Sequence, residues 1–259
     1  MKNIVVILPT YNERENIGEM IEVLEKSIFP KIDNYNMSIL VVDDDSPDGT
    51  KDIVYDKMKN YKNLEISVGE KQGLGSAFNR GIDYSVEKMD ADVVIKMDAD
   101  FQHNPEYIFD LIKKYDEGYF YIIGTRFSNG GKFPKELGIY RKILSKYGGL
   151  FTRIILFFPH INIVTDASSG LKLVDVENVL KKVDFHIISS GFYYTTQLLY
   201  QAITIGVKVA EVPIDFGIRK YGKTKMPFSN APKTLKAMIR LRLNRDKLKK
   251  RLEGLNKET

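Results

Sequence analysis

Apolar residues in the first half of the chain alternate between two periods. Ile4-Val-Val-Ile-Leu8 is a β-branched run that predicts a buried strand, after which Ile17, Met20, Ile21, Leu24 and Ile28 recur at helical spacing. Ser38-Ile-Leu-Val-Val42 predicts a second strand ending at Asp43, and Asp48-Gly49-Thr50 predicts a turn whose capping residues open a helix. Gly73-Leu-Gly75 precedes a helix with Phe78 and Ile82. Asp92–Met97 predicts a strand that again ends in acids. Pro105 sits in the first turn of a helix carrying Tyr107, Ile108, Leu111 and Ile112, and Tyr119–Ile123 predicts the next strand.

Such β/α alternation predicts an α/β fold, a mostly parallel central sheet with helices on both faces. Ligands of such sheets bind beyond the carboxyl ends of the strands, which directs attention to the polar residues that follow them. After Gly124 the pattern loosens. A long helix is expected from Leu137 to Phe158, interrupted at Gly148-Gly149 and stopped by Pro159, with another over Thr195–Ile205 and a last strand over Val207–Val212. Beyond Pro232 a basic helical segment carries Leu235, Met238, Ile239, Leu248 and Leu252. No internal repeat or low-complexity tract is evident.

Composition narrows the class. The 259 residues suit one large domain, or one with a short appendage, and the apolar (43%) and charged (28%) fractions are ordinary for a globular protein. The absence of cysteine excludes disulfides and Cys-ligated zinc and suits a reducing compartment. No secretory signal opens the chain. The most apolar run, Ile154–Phe158, falls far short of the roughly 18 residues that span a bilayer. Charge is unevenly spread: Arg219 to Arg251 holds thirteen Lys/Arg against one acid, Asp246, within a chain of net charge +5. Such a run reads either as a solvated helix face or as a surface meeting anionic lipid or a phosphate ligand.

Candidate chemistry lies in Pro9-Thr-Tyr-Asn-Glu13, Asp43-Asp-Asp-Ser-Pro-Asp-Gly-Thr50, Asp98-Ala-Asp100-Phe-Gln102 and Arg219-Lys-Tyr-Gly-Lys-Thr-Lys225; the first three each follow a predicted strand. If the third is extended, Asp98 and Asp100 point to one side and repel unless a cation lies between them. A hard divalent ion is the natural partner, with Gln102 adding an amide oxygen at the same period. Acids at a strand end can equally be turn caps. Asp43–Asp45 can likewise cap the following helix or accept hydrogen bonds from a base or ribose. His103, His160 and His186 share no metal-like spacing, and the Tyr193-Tyr194 and Phe157-Phe158 pairs read as packing.

Together these stretches resemble glycosyltransferase family 2, most closely its polyprenyl (dolichyl) phosphate mannose synthase subgroup, over Ile4 to Met226. Glu70–Ala77, Gly124-Thr-Arg126, Thr165-Asp166 and Ser169-Gly170 match further family segments. The resemblance implies a nucleotide-diphospho-sugar transferase (GT-A type) fold and an inverting transfer of mannose from GDP-mannose to a polyprenyl phosphate. It assigns Pro9, Tyr11, Glu13, Val42, Asp44, Asp98, Ala99, Asp100, Gln102, Arg219 and Lys225 to the nucleotide-sugar. Mg²⁺ or Mn²⁺ would be held by Asp98, Asp100 and Gln102. Asp100, Arg126, Arg219 and Lys225 would carry the chemistry, and Arg126, Arg141 and Ser145 would cradle the acceptor phosphate.

This chain departs from the pattern at Gly170-Leu171-Lys172, where an aromatic usually follows Ser-Gly. It also lacks tryptophan, and with it the Q-x-x-R-W motif of processive synthases. Missing G-x-G-x-x-G and G-x-x-x-x-G-K-[ST] motifs argue against a dinucleotide-binding oxidoreductase and a P-loop enzyme. The rival functions are a UDP-glucose-dependent enzyme acting on the same lipid and a non-enzymatic membrane-surface adaptor. The expected organisation is a catalytic domain over 1–226 and a basic amphipathic C-terminal helix over 227–259. The expected location is the cytoplasmic face of a membrane, peripherally held, with a separate membrane subunit as a further possible partner and no role for nucleic acid.

Overall fold

The computed structural model describes residues 1–132, 139–185, 193–219 and 231–258. Its first half runs β1 (Lys2–Thr10), α1 (Arg14–Val23), β2 (Tyr35–Asp43), α2 (Thr50–Met58), β3 (Leu64–Val68), α3 (Leu74–Lys88), β4 (Val93–Lys96) and α4 (Tyr107–Asp116). The second half continues with β5 (Tyr121–Thr125), α5 (Ile139–Phe157), β6 (Lys172–Asp175), α6 (Tyr194–Thr204), β7 (Val209–Pro213), α7 (Ala231–Leu243) and α8 (Arg245–Glu258).

Among the described residues the strands form a seven-stranded sheet in the order β3-β2-β1-β4-β6-β5-β7. β6 runs antiparallel to β4 and β5, and the other pairs are parallel. β1 and β2 pair in register from Lys2↔Tyr35 to Thr10↔Asp43, so their carboxyl ends finish side by side. A break in strand order or direction opens a crevice at the strand ends, and here the sheet changes direction at β6, beside β4.

Two apolar layers sandwich the sheet. On one face Ile17, Met20 and Ile21 of α1 and Ile108, Leu111 and Ile112 of α4 pack against Ile4, Val6, Leu8 and Ile95. On the other, Phe78 and Ile82 of α3 and Leu198 and Leu199 of α6 cover Val5, Ile7, Val42 and Val94. Each such side chain, fully buried, contributes about 1.5–3 kcal/mol. The helical period of the first segment extends to Ile28 because a π-helical turn, Leu24–Ile28, continues α1.

Four elements differ from the expectation. α5 runs unbroken through Gly148 and Gly149, because glycine within a helix costs only about 1 kcal/mol against alanine. β3 and β6 were not foreseen: Leu64–Val68 is a five-residue alternation of apolar and polar positions with no continuous apolar run, and Lys172–Asp175 opens and closes on charged residues. The basic C-terminal segment forms two helices meeting at Asn244, not one. Met238 of α7 and Leu248 and Leu252 of α8 are buried in the same cluster as the sheet residues. Arg242 caps α5 from α7, donating to the carbonyls of Leu156 (3.3 Å) and Phe158 (2.7 Å), where helix C-terminal carbonyls otherwise lack donors.

Candidate active site

The ends of β1 and β2 are tied by Asp43. Thr10 Oγ1 and Ser46 Oγ each donate to Asp43 Oδ2 at 2.7 Å, and the Ser46 amide donates to Oδ1 at 2.7 Å. Asp43 is wholly buried and both its oxygens are engaged. It is therefore a structural clip, and with Val42 in the core Asp44, paired with Arg80, is the member of that segment that remains a candidate ligand contact. The electrostatic cost of three adjacent acids is met by separating them: Asp44 pairs with Arg80 (3.0 Å), while Asp45 turns outward to Lys51 (2.5 Å). Burial pushes the Asp44 carboxyl up, with Arg80 opposing it.

Pro9 lies in register with the buried Val42. Tyr11 stands just past the strand, with Lys71 Nζ 3.4 Å over its ring. Glu13 is nearly buried, donates its amide to Thr50 Oγ1 (3.0 Å) and accepts from Asn16 Nδ2 (2.7 Å). A surface cavity of ≈ 630 Å³ along α3 borders this corner through Gly69, Glu70 and Arg80.

Beyond β4 the chain is not extended. Ala99 and Asp100 form a turn, and Phe101 takes a left-handed φ of 62°. The period-two argument for Asp98, Asp100 and Gln102 therefore fails, because a left-handed residue reverses the side-chain direction. The turn itself brings the two carboxylates together. Asp100 Oδ1 accepts the Gln102 amide at 3.0 Å, and Gln102 in turn bonds Gly217 through its own carbonyl (2.8 Å) and its side chain (3.4 Å). The Asp98 side chain is 36% exposed and lies 3.8 Å from Lys96 Nζ and 3.7 Å from His103 Nδ1. Ala99 is buried beneath.

Burial would raise the Asp98 carboxyl, but Lys96, His103, Arg219 and Arg126 together hold it below its ordinary value. Burial and the Asp98 charge push Asp100 up to about 6. Burial pulls His103 down to about 4, a neutral ring stacked edge-on against Phe216 at 5.1 Å. Two carboxylates that resist common ionisation are a donor set suited to a divalent cation. Asp100 Oδ2 is buried and makes no hydrogen bond among the described residues, although Arg219 faces it at 2.8 Å. Among the described residues no three His, Cys, Asp or Glu side chains cluster as a closed metal cage. Asp98 and Asp100 therefore fit an open site that a diphosphate and water would complete, the usual habit of Mg²⁺, while Gln102 stands beside them with its side-chain nitrogen held to Gly217.

Arg219 joins this turn to the end of β1, with 3.3 Å to Glu13 Oε1 and 2.8 Å to Asp100 Oδ2. Arg126, just past β5, is held by the fully buried Asp166 through two nearly parallel bonds, Nε–Oδ2 (2.7 Å) and Nη2–Oδ1 (2.9 Å). Its guanidinium packs between Phe127 and Phe216. α5 passes beside it, since a Cβ on Gly149 would meet the Phe127 ring at 3.9 Å. Arg141 and Ser145 belong to α5, and their side chains lie outside the described residues, as does Lys225 altogether.

Several members of the site were not singled out from sequence. Arg80 follows the Gly73–Gly75 helix start by less than two turns, a spacing that carries no signal. His103 lacked a partner in sequence and finds one only through the turn at Phe101. Lys96 and Lys172, both almost fully buried, face each other across β4 and β6. Lysine inside a strand of an otherwise apolar sheet was the available signal for them.

Three kinds of similarity bear on this site. The sequence profile described as Glycosyl transferase family 2 matches residues 5–174. The chain is 37% identical over 240 residues to a dolichol-phosphate mannosyltransferase of Pyrococcus furiosus, covering 91% of this chain and 62% of that protein, so it spans under two thirds of that relative's length. It is 34% identical to a polyprenol monophosphomannose synthase of Mycolicibacterium smegmatis, covering 87% of this chain and 81% of that one. Among solved structures, mannosyl-3-phosphoglycerate synthase from Rubrobacter xylanophilus superposes with a TM-score of 0.67 at 21% identity, over 94% of this chain and 75% of that one. Glucosyl-3-phosphoglycerate synthase from Mycobacterium tuberculosis, solved with Mn²⁺, uridine-diphosphate and glucosyl-3-phosphoglycerate, does so with a TM-score of 0.57 at 19% identity, over 94% and 78%. At these identities the structural likeness establishes the fold.

Proposed function

Because this chain belongs to glycosyltransferase family 2, with its GT-A type fold, we propose that it transfers mannose from GDP-mannose to a polyprenyl phosphate, with inversion at the anomeric carbon. The observation that carries the reading is the meeting of Glu13, Asp100 and Arg219 from three separate motifs at one end of the sheet. The two mannosyl-transferring relatives support the choice of sugar and acceptor.

In this reading Pro9, Tyr11 and Asp44 line the nucleoside position, with Val42 packed in the core beneath them, and Glu13, Ala99, Arg219 and Lys225 border the diphosphate. Asp98, Asp100 and Gln102 would hold Mg²⁺ or Mn²⁺, which when bound would neutralise charge gathering on the leaving nucleoside diphosphate. The acceptor, a phosphate monoester with a second pKa of about 6, is anionic at neutral pH and needs no strong general base. It needs cations to bring two like-charged reactants together. Arg126, oriented by Asp166, supplies one, and Arg141 and Ser145 are proposed to complete the cradle from α5.

The lipid acceptor places the site at a membrane surface. No helix among the described residues is long and apolar enough to cross a membrane. Tyr147, Leu150, Phe151 and Ile154, with Phe158 just past the helix end, nevertheless recur at helical spacing and are all exposed on the helix that passes Arg126. Such an exposed apolar stripe, with basic α7 packed beside it, supports peripheral attachment to an anionic leaflet. The segment 227–259 is proposed to serve that attachment and residues 1–226 the catalysis. The cytoplasmic face is proposed because the chain carries no cysteine, which suits a reducing compartment.

The test is transfer of radiolabelled sugar from GDP-mannose or UDP-glucose to polyprenyl phosphate with Mg²⁺ or Mn²⁺, followed by organic extraction. Label entering lipid from GDP-mannose alone supports the proposal. Label from UDP-glucose alone overturns the sugar, and an α-linked product overturns the single displacement.

A further inference from the structure

The loop between α5 and β6 touches both halves of the site. Asp166 clamps Arg126, and Ser168 Oγ accepts from Arg126 Nη2 at 3.2 Å. Four residues on, Gly170 approaches Asp98 so closely that a Cβ there would lie 2.8 Å from Asp98 Oδ2. What holds this loop is therefore what sets the distance between acceptor-side and donor-side groups.

Its main anchor is Glu211, in the middle of β7 and paired with Ile123 of β5. Glu211 Oε1 accepts the amides of Thr165 (2.7 Å) and Asp166 (3.0 Å), and Oε2 accepts the Thr165 hydroxyl (2.8 Å). Thr165 has one hydroxyl proton, which goes to Glu211. The 2.7 Å contact between Thr125 Oγ1 and Thr165 Oγ1 is then donated by Thr125, at the end of β5. The Phe127 amide donates to Thr125 Oγ1 at 3.1 Å, so a chain of donors runs from the Arg126 segment through two threonines into one carboxylate. A second anchor acts from the other side. The buried Lys172 ammonium donates to the carbonyls of Ala167 and Thr195, each at 3.3 Å, and Thr196 Oγ1 donates to Ala167 at 3.4 Å. An acceptor-only group on one strand and a donor-only group on another thus grip consecutive stretches of the same loop.

We infer that Glu211 is a positioning residue for the transfer reaction: it fixes Thr165 and Asp166 so that Asp166 holds the Arg126 guanidinium in the orientation that receives the acceptor phosphate. Glu211 touches no substrate. Its effect passes through Asp166, and it acts on the acceptor half of the site. Lys172 plays the companion part for the Ala167 end. The inference rests on the proposed function for its kinetic arm only.

The experiment is a double-mutant cycle with Glu211→Gln, Asp166→Asn and the double variant. It is read as KM for a short-chain polyprenyl phosphate, KM for GDP-mannose, kcat and Tm, alongside hydrogen exchange of the Thr165 and Asp166 amides. Glutamine keeps the size but presents an amide donor to groups that need an acceptor. Each single variant is expected to raise the acceptor KM about tenfold, with donor KM within about twofold and the double no worse than the worse single, as groups acting in one series require. Exchange at Thr165 and Asp166 is expected to quicken at least tenfold in Glu211→Gln. Effects that multiply in the double variant, or donor and acceptor KM rising together with a fallen Tm, would overturn the inference. If the wild-type chain transfers no sugar, the functional proposal fails by itself. The exchange arm then still decides the anchor, because unchanged protection in Glu211→Gln overturns it.

Discussion

The Arg219 guanidinium lies 2.8 Å from Asp100 Oδ2, the one oxygen of that carboxylate left without a hydrogen bond among the described residues. A cation carried on the chain after β7 thus reaches an acid at the end of β4, in a site where Asp98 already opposes ionisation of Asp100. Glu13 joins from β1 at 3.3 Å. The arrangement concentrates charge of both signs at the end of the sheet, where the proposed function puts a diphosphate and its counter-ion.

Asp100→Asn removes the carboxylate and keeps the shape. Loss of electrostatic stabilisation of the leaving group is expected to lower kcat by about 10²–10³. Burial and Asp98 raise the Asp100 carboxyl to about 6, so its charge is a burden on the fold, and neutralising it should leave Tm unchanged within a few degrees. Steady-state kinetics beside a thermal melt checks this. Near-normal turnover would remove Asp100 from the chemistry.

Gly170→Ala tests the contact between the loop and the acidic turn. The new methyl would meet Asp98 Oδ2 at 2.8 Å and His103 Cε1 at 2.9 Å, distances at which something must move. His103 is fully packed against Phe216, so the more exposed Asp98 is expected to yield. The variant should bind Mn²⁺ with GDP about tenfold more weakly in calorimetry, at a stability cost of about 1–3 kcal/mol typical of overpacking. Unchanged affinity would separate this loop from the donor half.

Sequence reading found the strands that bury β-branched runs and the acids that follow them, because both signals are local. It foresaw Asp98 and Asp100 as neighbours through an extended geometry that the turn at Ala99-Asp100 does not adopt, so the pairing followed from a different cause. Asp43 was indistinguishable in sequence from Asp44, and only the Thr10 and Ser46 hydroxyls, brought together by the β1–β2 register, separate a clip from a ligand. β6 was unreadable because it carries Lys172 and Asp175 in four residues, each with a buried partner distant in sequence, Thr195 and Tyr121 for the lysine and Tyr115 for the acid. Glu211 looked like an ordinary strand acid, since its three bonds all go to a loop some 45 residues earlier.

Lys172 should leave a signature in the pH dependence of stability. Burial, with Lys96 close by, pulls its ammonium from the ordinary 10.5 down to about 7. Between those values the unfolded chain holds a proton that the folded chain releases, so stability rises with pH across the window and this gain is absent at pH 7 and below. Melts of the wild type and Lys172→Met from pH 7 to about 9.5, short of tyrosine ionisation, should differ in slope, with the wild type rising more steeply. Parallel profiles would show that Lys172 stays charged in the fold.

The exposed stripe on α5 makes the membrane proposal measurable. Phe151 and Ile154 are 51% and 45% exposed and lie one turn apart, near the helix end that Arg242 caps. In water they gain nothing from that position, whereas insertion into an interface would contribute about 1.5–3 kcal/mol for each. The wild-type chain is expected to sediment with vesicles of phosphatidylglycerol and phosphatidylcholine, and less so as salt screens the basic α7 and α8. Phe151→Asp with Ile154→Asp should lower vesicle affinity at least about a hundredfold, the loss that such burial energies imply, and leave Tm within a few degrees because neither side chain belongs to the core. Undiminished sedimentation of the double variant would show that this face of α5 is not what meets the lipid, and would move the attachment to the basic helices alone.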